Sequence, residues 1–178
     1  VPVIEAITNR FDVTVSIDTR KPAVMRVAID AGAHWINDIE ALRAPGALKT
    51  AADLEVPVCL MHMQGMPGTM QQAPQYDDVV AEVEAFLNER VRACEAAGIT
   101  RDRIILDPGF GFGKTLAHNT ALFRALPRLV RLGFPLLVGV SRKSMIGQVL
   151  DRPVDQRLYG SLALAALAVD AGAGIIRV

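Results

Sequence analysis

Three polar side chains stand where apolar runs deliver them: Asp18 after Val15-Ser-Ile, Asn37 after Trp35-Ile, and Asp107 after Ile104-Ile-Leu. A carboxylate on an apolar floor costs several kcal/mol unless donors or cations satisfy it, so these groups need partners. A ligand edge with paired N–H donors would supply them. For any single Asp, a cap on the next helix or an ion pair with a lysine is an equally open reading. Three such groups at equivalent strand ends favour the ligand.

Asp107 also opens the strongest local signal, Asp107-Pro-Gly-Phe-Gly-Phe-Gly-Lys114, with three glycines at alternate positions. No structural turn needs so many. Only three residues separate Gly109 from Gly113-Lys114-Thr115 where a phosphate-binding P-loop has four, and the dinucleotide fingerprint is absent too. The glycines let the backbone approach a flat ligand or adopt positive φ, and Phe110 and Phe112 offer aromatic walls. Packing of either phenylalanine on a neighbouring helix is the plainer alternative. A second segment, Gly139-Val-Ser-Arg-Lys-Ser144, brings hydroxyls and cations to a strand exit. Ser144 can cap the helix that follows, and Arg142 with Lys143 at a helix start opposes the macrodipole, which suggests an anionic visitor. His62 has no partner set for metal binding or acid–base work and reads as structural. Met61, Met63 and Met66 read as a polarizable pocket wall.

The elements that must position these groups follow from periodicity. Near-continuous apolar runs at residues 13–17, 34–37, 57–61, 103–106, 135–140 and 174–178 read as parallel strands buried on both faces. Helical spacing of Val80, Val83, Leu87, Val91 and Cys94 predicts a helix over 76–97, and others follow over 22–31 and from an Asp155 cap to Gly172. The last is expected to bury Leu158, Leu162, Ala165 and Val169. Ala31-Gly-Ala-His-Trp-Ile-Asn-Asp38 and Ala171-Gly-Ala-Gly-Ile-Ile-Arg-Val178 repeat one pattern, a glycine-stopped helix into a strand. Such a repeat points to an α/β fold, a TIM (β/α)8 barrel whose strand ends open onto one face. An eight-unit barrel takes about 250 residues, so 178 residues give about six of the eight βα units in one domain, 1–178. An open doubly wound sheet fits less well, because the turn after the first strand holds no glycine.

Composition narrows the function. An apolar fraction of 51% beside 21% charged residues describes a folding chain, and 19 Lys+Arg against 19 Asp+Glu give no net field to hold nucleic acid or a membrane surface. Two cysteines without metal-ligand spacing fit a reducing cytoplasm, and neither a signal nor a membrane-spanning run is legible.

Val15-Ser-Ile-Asp-Thr19, Trp35-Ile-Asn-Asp-Ile39, Cys59-Leu-Met-His-Met-Gln-Gly65, Leu106-Asp-Pro-Gly-Phe-Gly-Phe-Gly-Lys114, Leu137-Val-Gly-Val-Ser-Arg-Lys-Ser144 and Ile175-Ile-Arg-Val178 closely resemble dihydropteroate synthases, pterin-binding barrel enzymes of folate synthesis. The resemblance implies condensation of 7,8-dihydropterin-6-ylmethyl diphosphate with 4-aminobenzoate to 7,8-dihydropteroate and diphosphate, with sulfonamides competing for the aminobenzoate site. It implies that Asp107 and Asn37 bind the amino-pyrimidine edge, that Asp18 faces the dihydropyrazine side, and that Lys143 meets the pterin carbonyl and ring nitrogen. Met61, Phe112 and Gly139 would line the slot, Arg177 would hold diphosphate, and Phe112, Lys143 and Ser144 would border aminobenzoate. Asp18, Asp107 and Lys143 are the implied catalytic groups. The family also implies Mg2+, bound by an Asn upstream of Val1 rather than by any residue here, and a homodimer.

Relative to that family, two N-terminal strands and a closing C-terminal helix are expected to be missing, and the isolated chain is expected to be inactive and poorly soluble through its open sheet edges. The rivals are a methyltetrahydrofolate-dependent methyltransferase, which needs neither the glycine-phenylalanine loop nor Ser141-Arg-Lys-Ser144, an aldolase-type barrel with Lys143 as Schiff-base lysine, and a non-catalytic pterin-binding module.

Overall fold

The computed structural model describes residues 1–65 and 68–178, so Met66 of the expected methionine wall lies outside the described residues. The chain runs α1 (Pro2–Thr8), β1 (Ser16–Asp18), α2 (Pro22–Asp30), β2 (Trp35–Asp38), α3 (Ala47–Leu54), β3 (Val58–Met61), α4 (Val79–Ala96), β4 (Ile104–Asp107), α5 (Leu116–Arg124), α6 (Leu126–Val130), β5 (Leu137–Val138), α7 (Ser144–Leu150), α8 (Leu158–Asp170) and β6 (Ile175–Ile176). All six predicted strands form, most of them shorter than the apolar run that announced them. Among the described residues no helix is long and apolar enough to cross a membrane.

The chain divides into two compact units, the first comprising Val1–Met61 and Asn88–Ile105. There β1, β2 and β3 lie parallel, with Asp18 opposite Asn37 and Asn37 opposite Cys59. Strands β2 and β3 are buried almost throughout, and their apolar side chains each contribute about 1.5–3 kcal/mol. The expectation of burial on both faces fails for β1, where Ser16 and Asp18 are exposed, because β1 is the edge of its sheet. Arg90 of α4 is buried and donates from Nε to the carbonyl of Ala41 at 2.9 Å, which fixes a left-handed residue at the exit of β2.

The second unit comprises His62–Leu87 and Leu106–Val178. Strands β5 and β6 pair in parallel, Leu137 with Ile175 and Val138 with Ile176, and Leu136 bridges to Leu106 of β4. Burial on both faces fails for β6 too, whose Ile175 and Ile176 stay half-buried at an edge. Helix α4 starts at Val79 rather than Tyr76, because Asp78 Oδ1 accepts from the Val80 and Ala81 amides at 3.0 and 3.1 Å and so caps it. Its buried stripe is Val79, Val83, Leu87, Val91 and Cys94, while Val80 is only half-buried.

Three expectations about α7 and α8 are corrected. Leu158, Leu162 and Val169 are 60%, 56% and 57% exposed, Ala165 is not buried either, and Ser161 and Ala168 are the buried residues of α8. A helix apolar on nearly every side gives periodicity nothing to select; the small side chains take the packed face. Asp155 caps nothing, since it sits in a single 3₁₀ turn and the helix begins at Leu158 after Arg157. Ser144 is the first residue of α7 rather than its cap, because Lys143 takes the cap position after a left-handed Arg142.

The internal repeat is real in three dimensions. In the first copy Ala33 N–H bonds the Ala28 carbonyl and in the second Ala173 N–H bonds the Ala168 carbonyl, both at 2.9 Å, with Gly32 and Gly172 at φ +102° and +96°. Ile99 to Cys94, around Gly98, makes a third copy at 3.0 Å. Each is a six-to-one helix stop that only glycine adopts without strain.

Candidate functional site

Asp107 ends β4 and is 1% exposed. Its Oδ1 accepts from the Gly109 amide at 2.7 Å, and its Oδ2 has no hydrogen-bond partner among the described residues. Burial pushes the carboxyl up from the usual carboxylate range, against the lowering pull of the Gly109 bond and the nearby Arg177, Lys114 and Lys143 cations. The loop that follows turns on Gly109, Gly111 and Gly113, all at positive φ. Its two phenylalanines divide the two readings between them. Phe110 is buried against Phe123 with centroids 5.8 Å apart, while the half-buried Phe112 carries the Lys143 ammonium 4.5 Å from its ring centroid.

Lys143 follows the exit of β5. Burial lowers its pKa first, Arg177 lowers it further, and Asp107 opposes both. Arg177 follows β6 and its guanidinium lies over Gly139, where a Cβ would stand 3.2 Å from Nε. These residues, with Ser141, Arg142 and Val178, line a cavity of about 230 Å³. Its cations suit an anion such as diphosphate or a carboxylate. Ser144 is exposed in the first turn of α7. The supports of this segment were not read from the sequence: Arg157 Nη1 donates to the Arg142 carbonyl at 3.0 Å, and Ser161 Oγ accepts from the Arg142 amide at 2.9 Å.

In the first unit, Asn37 Nδ2 donates to Asp18 Oδ2 at 2.9 Å, and the buried Asn37 Oδ1 has no partner among the described residues. Asp18 is exposed, not partly buried as expected. Its neighbour in sequence type, the fully buried Asp38, takes the structural alternative: its carboxylate accepts from the Glu40 and Leu42 amides at 2.8 and 3.0 Å. Burial still raises its pKa, the larger effect against those two bonds. Met61 is fully buried in β3.

The second unit thus gathers Asp107, Phe112, Gly139, Lys143 and Arg177 into one neighbourhood, and the first joins Asp18 to Asn37. The family described as pterin binding enzyme matches residues 1–178. The chain belongs to the pterin-binding enzymes. This pterin-binding enzyme is 56% identical to the dihydropteroate synthase of Escherichia coli (strain K12) over 178 residues, which cover 100% of the chain and 63% of that protein. It superimposes on the Yersinia pestis dihydropteroate synthase with a sulfonamide drug complex at TM-score 0.96 and 53% identity, over 99% of the chain and 64% of that structure. The Xanthomonas albilineans dihydropteroate synthase in complex with 7,8-dihydropteroate matches at TM-score 0.93 and 52% identity, over 99% of the chain and 64% of that structure. The fold class is therefore α/β of the TIM (β/α)8 type, and the chain spans about 63% of the length of the E. coli relative.

Two further groups of this pterin-binding enzyme escaped sequence reading. Lys114 is buried beneath the glycine loop, 2.9 Å from His62 Nδ1, and His118 closes a capping box with Thr115 at the start of α5. Nothing in the local sequence marked Lys114: its acceptors are the Gly109 and Phe112 main-chain carbonyls and the distant His62 ring. The structural reading of His62 fits its edge-on contact with Phe86, centroids 4.9 Å apart. Among the described residues, no three His, Cys, Asp or Glu side chains group as metal ligands.

Proposed function

We propose that this chain carries the pterin chemistry of a dihydropteroate synthase, joining 7,8-dihydropterin-6-ylmethyl diphosphate to 4-aminobenzoate. The buried Asp107 carboxylate with its bare Oδ2 is the observation that carries this reading. A buried charged acceptor without a donor is costly, and the amino-pyrimidine edge of a pterin offers two adjacent N–H donors. Sequence identity of 56% to a dihydropteroate synthase supports the same reading.

The residues then take roles by their chemistry. Asp107 accepts from the pterin edge, Lys143 donates to its carbonyl and ring nitrogen, and Phe112 and Gly139 border the ring. Asn37 and Asp18 are proposed, each singly, as contacts to the amino-pyrimidine edge and the dihydropyrazine side, with Met61 in the pterin slot. Arg177 faces the diphosphate, and Ser144 with Lys143 the aminobenzoate. The methylene C–O bond breaks with its electron pair leaving on diphosphate, whose charge Arg177 offsets. Asp107, when ionised, stabilises the cation that develops on the pterin, and Asp18 is proposed singly for the same role. The aniline lone pair forms the C–N bond, and the nitrogen releases its proton. Magnesium, when bound, would neutralise diphosphate; no step here depends on it. A cytoplasmic homodimer completes the proposal, and the exposed apolar side chains of α8 fit subunit contact.

Calorimetric titration with 6-hydroxymethyl-7,8-dihydropterin tests this. Saturable binding that falls at least tenfold in Asp107→Asn is expected; no binding by the wild-type chain, or equal binding by the variant, refutes it. The lowered Lys143 pKa would also suit an imine-forming lysine, and borohydride trapping with a carbonyl substrate is expected to leave no adduct.

A further inference from the structure

No step above uses Lys114, yet it is a cation only 4% exposed. Its Nζ donates to the Gly109 carbonyl at 2.9 Å and the Phe112 carbonyl at 3.1 Å, and lies 2.9 Å from His62 Nδ1. An ammonium has three donors and no acceptor, so these three short contacts use all of them, and the His62 carbonyl stands farther off at 3.5 Å. The glycine loop explains why such a group is needed. With Gly109, Gly111 and Gly113 at φ +69°, +80° and +61°, the main chain doubles back and turns two carbonyls inward; the Gly109 carbonyl accepts from the Phe112 amide at 3.1 Å, and Lys114 reaches both carbonyls.

The outer side of the loop is tied separately. Asn119 Oδ1 accepts from the Gly111 amide at 2.8 Å, the Tyr76 hydroxyl donates to the Gly113 carbonyl at 2.8 Å, and Gln71 Nε2 donates to the Gly111 carbonyl. Lys114 is the inner tie. It acts on both functional side chains of the loop: Gly109, whose carbonyl it holds, donates its own amide to Asp107, and Phe112, whose carbonyl it also holds, lies under Lys143.

We propose that Lys114 is a positioning residue of the pterin site, its buried ammonium holding the Gly109 and Phe112 carbonyls so that Asp107 and Phe112 are presented to the pterin. The proposal rests on the pterin reading above. Burial brings the Lys114 pKa down to about 7, against the pull of Asp107 and with the push of Lys143. The groups facing it are Asp107, Lys143 and the His62 ring, itself packed near the Tyr76 phenol. A neutral amine keeps two donors, so deprotonation costs one of the three ties unless His62 Nδ1 becomes the donor. The loop therefore changes its ties as pH passes through neutrality, and pterin affinity changes with it.

The test has two readouts. Amide spectra of the wild-type chain between pH 5.5 and 9 are expected to show Gly111 and Phe112 moving together with one midpoint near 7; resonances that stay fixed overturn the proposal. Titration with 6-hydroxymethyl-7,8-dihydropterin is expected to show at least tenfold weaker binding by Lys114→Met at pH 6, with partial recovery in Lys114→Arg and no pH step in the Met variant. A Met variant that binds as tightly as wild type, with the wild-type pH profile, overturns it too. Should the wild-type chain bind no pterin, the pterin reading falls, and with it the assignment of Lys114 to a pterin site. The loop spectra then tell whether Lys114 still orders the loop.

Discussion

Gly113→Ala separates two costs that are usually confounded. Gly113 sits at φ +61°, so any side chain there pays the left-handed penalty of about 1–2 kcal/mol. A Cβ would also collide with the main-chain oxygen of Gln64 and stand 3.0 Å from its Cβ and 3.1 Å from its carbonyl carbon. Main chain cannot swing aside as a flexible side chain can, and overpacking of this kind costs about 1–3 kcal/mol. The expected loss is about 2–5 kcal/mol. Gly133→Ala is the control, because Gly133 has φ +81° with nothing within 4 Å, which leaves the left-handed term of about 1–2 kcal/mol alone. Urea unfolding of both variants, with unchanged slopes, reads the difference. Pterin affinity should fall only in Gly113→Ala, since its strain is relieved by moving the loop that carries Phe112. Equal destabilisation of the two variants refutes the collision and the close approach on which it rests.

Arg157→Ala frees the Arg142 carbonyl and the Arg152 carbonyl that Nε holds at 3.0 Å, and should cost about 1–3 kcal/mol in urea with helical content unchanged. It should also weaken aminobenzoate binding, read by competition with a sulfonamide, more than pterin binding. Lys114 gives a stability signature. Its folded pKa of about 7 lies below the unfolded 10.5, so the unfolded chain binds more protons between those values and stability climbs as pH rises from about 7 to 10.5. A shift of that size corresponds to about 5 kcal/mol at most, and Lys114→Met should flatten the climb. A slope that persists in the variant refutes the assignment.

The fold was legible wherever one signal dominated. Apolar runs placed all six strands, and glycine after a helical segment marked stops whose six-to-one bonds recur at Gly32, Gly98 and Gly172. The placing of Asp107 and Lys143 at or after strand ends was legible, because an apolar run precedes each. Burial in α8 was not, because its apolar residues occupy every side and contact, not period, selects Ser161 and Ala168. The caps expected of Asp155 and Ser144 failed because the Arg142 turn and Arg157 decide where α7 and α8 begin, and the partners of Arg157 and Ser161 lie far from them in sequence. Lys114 was hidden for a similar reason: its acceptors are main-chain oxygens exposed only once the glycines have turned, and a ring 52 positions away.

Both cysteines, Cys59 and Cys94, are buried, and both belong to the first unit. Burial also drives the Cys94 thiol up to about 11, so little of it is reactive thiolate at neutral pH. An alkylating reagent reaches either sulfur only when that unit breathes. The rate of thiol capture in native buffer is thus an intrinsic gauge of how often the half carrying Asp18 and Asn37 loosens, with no engineered label required.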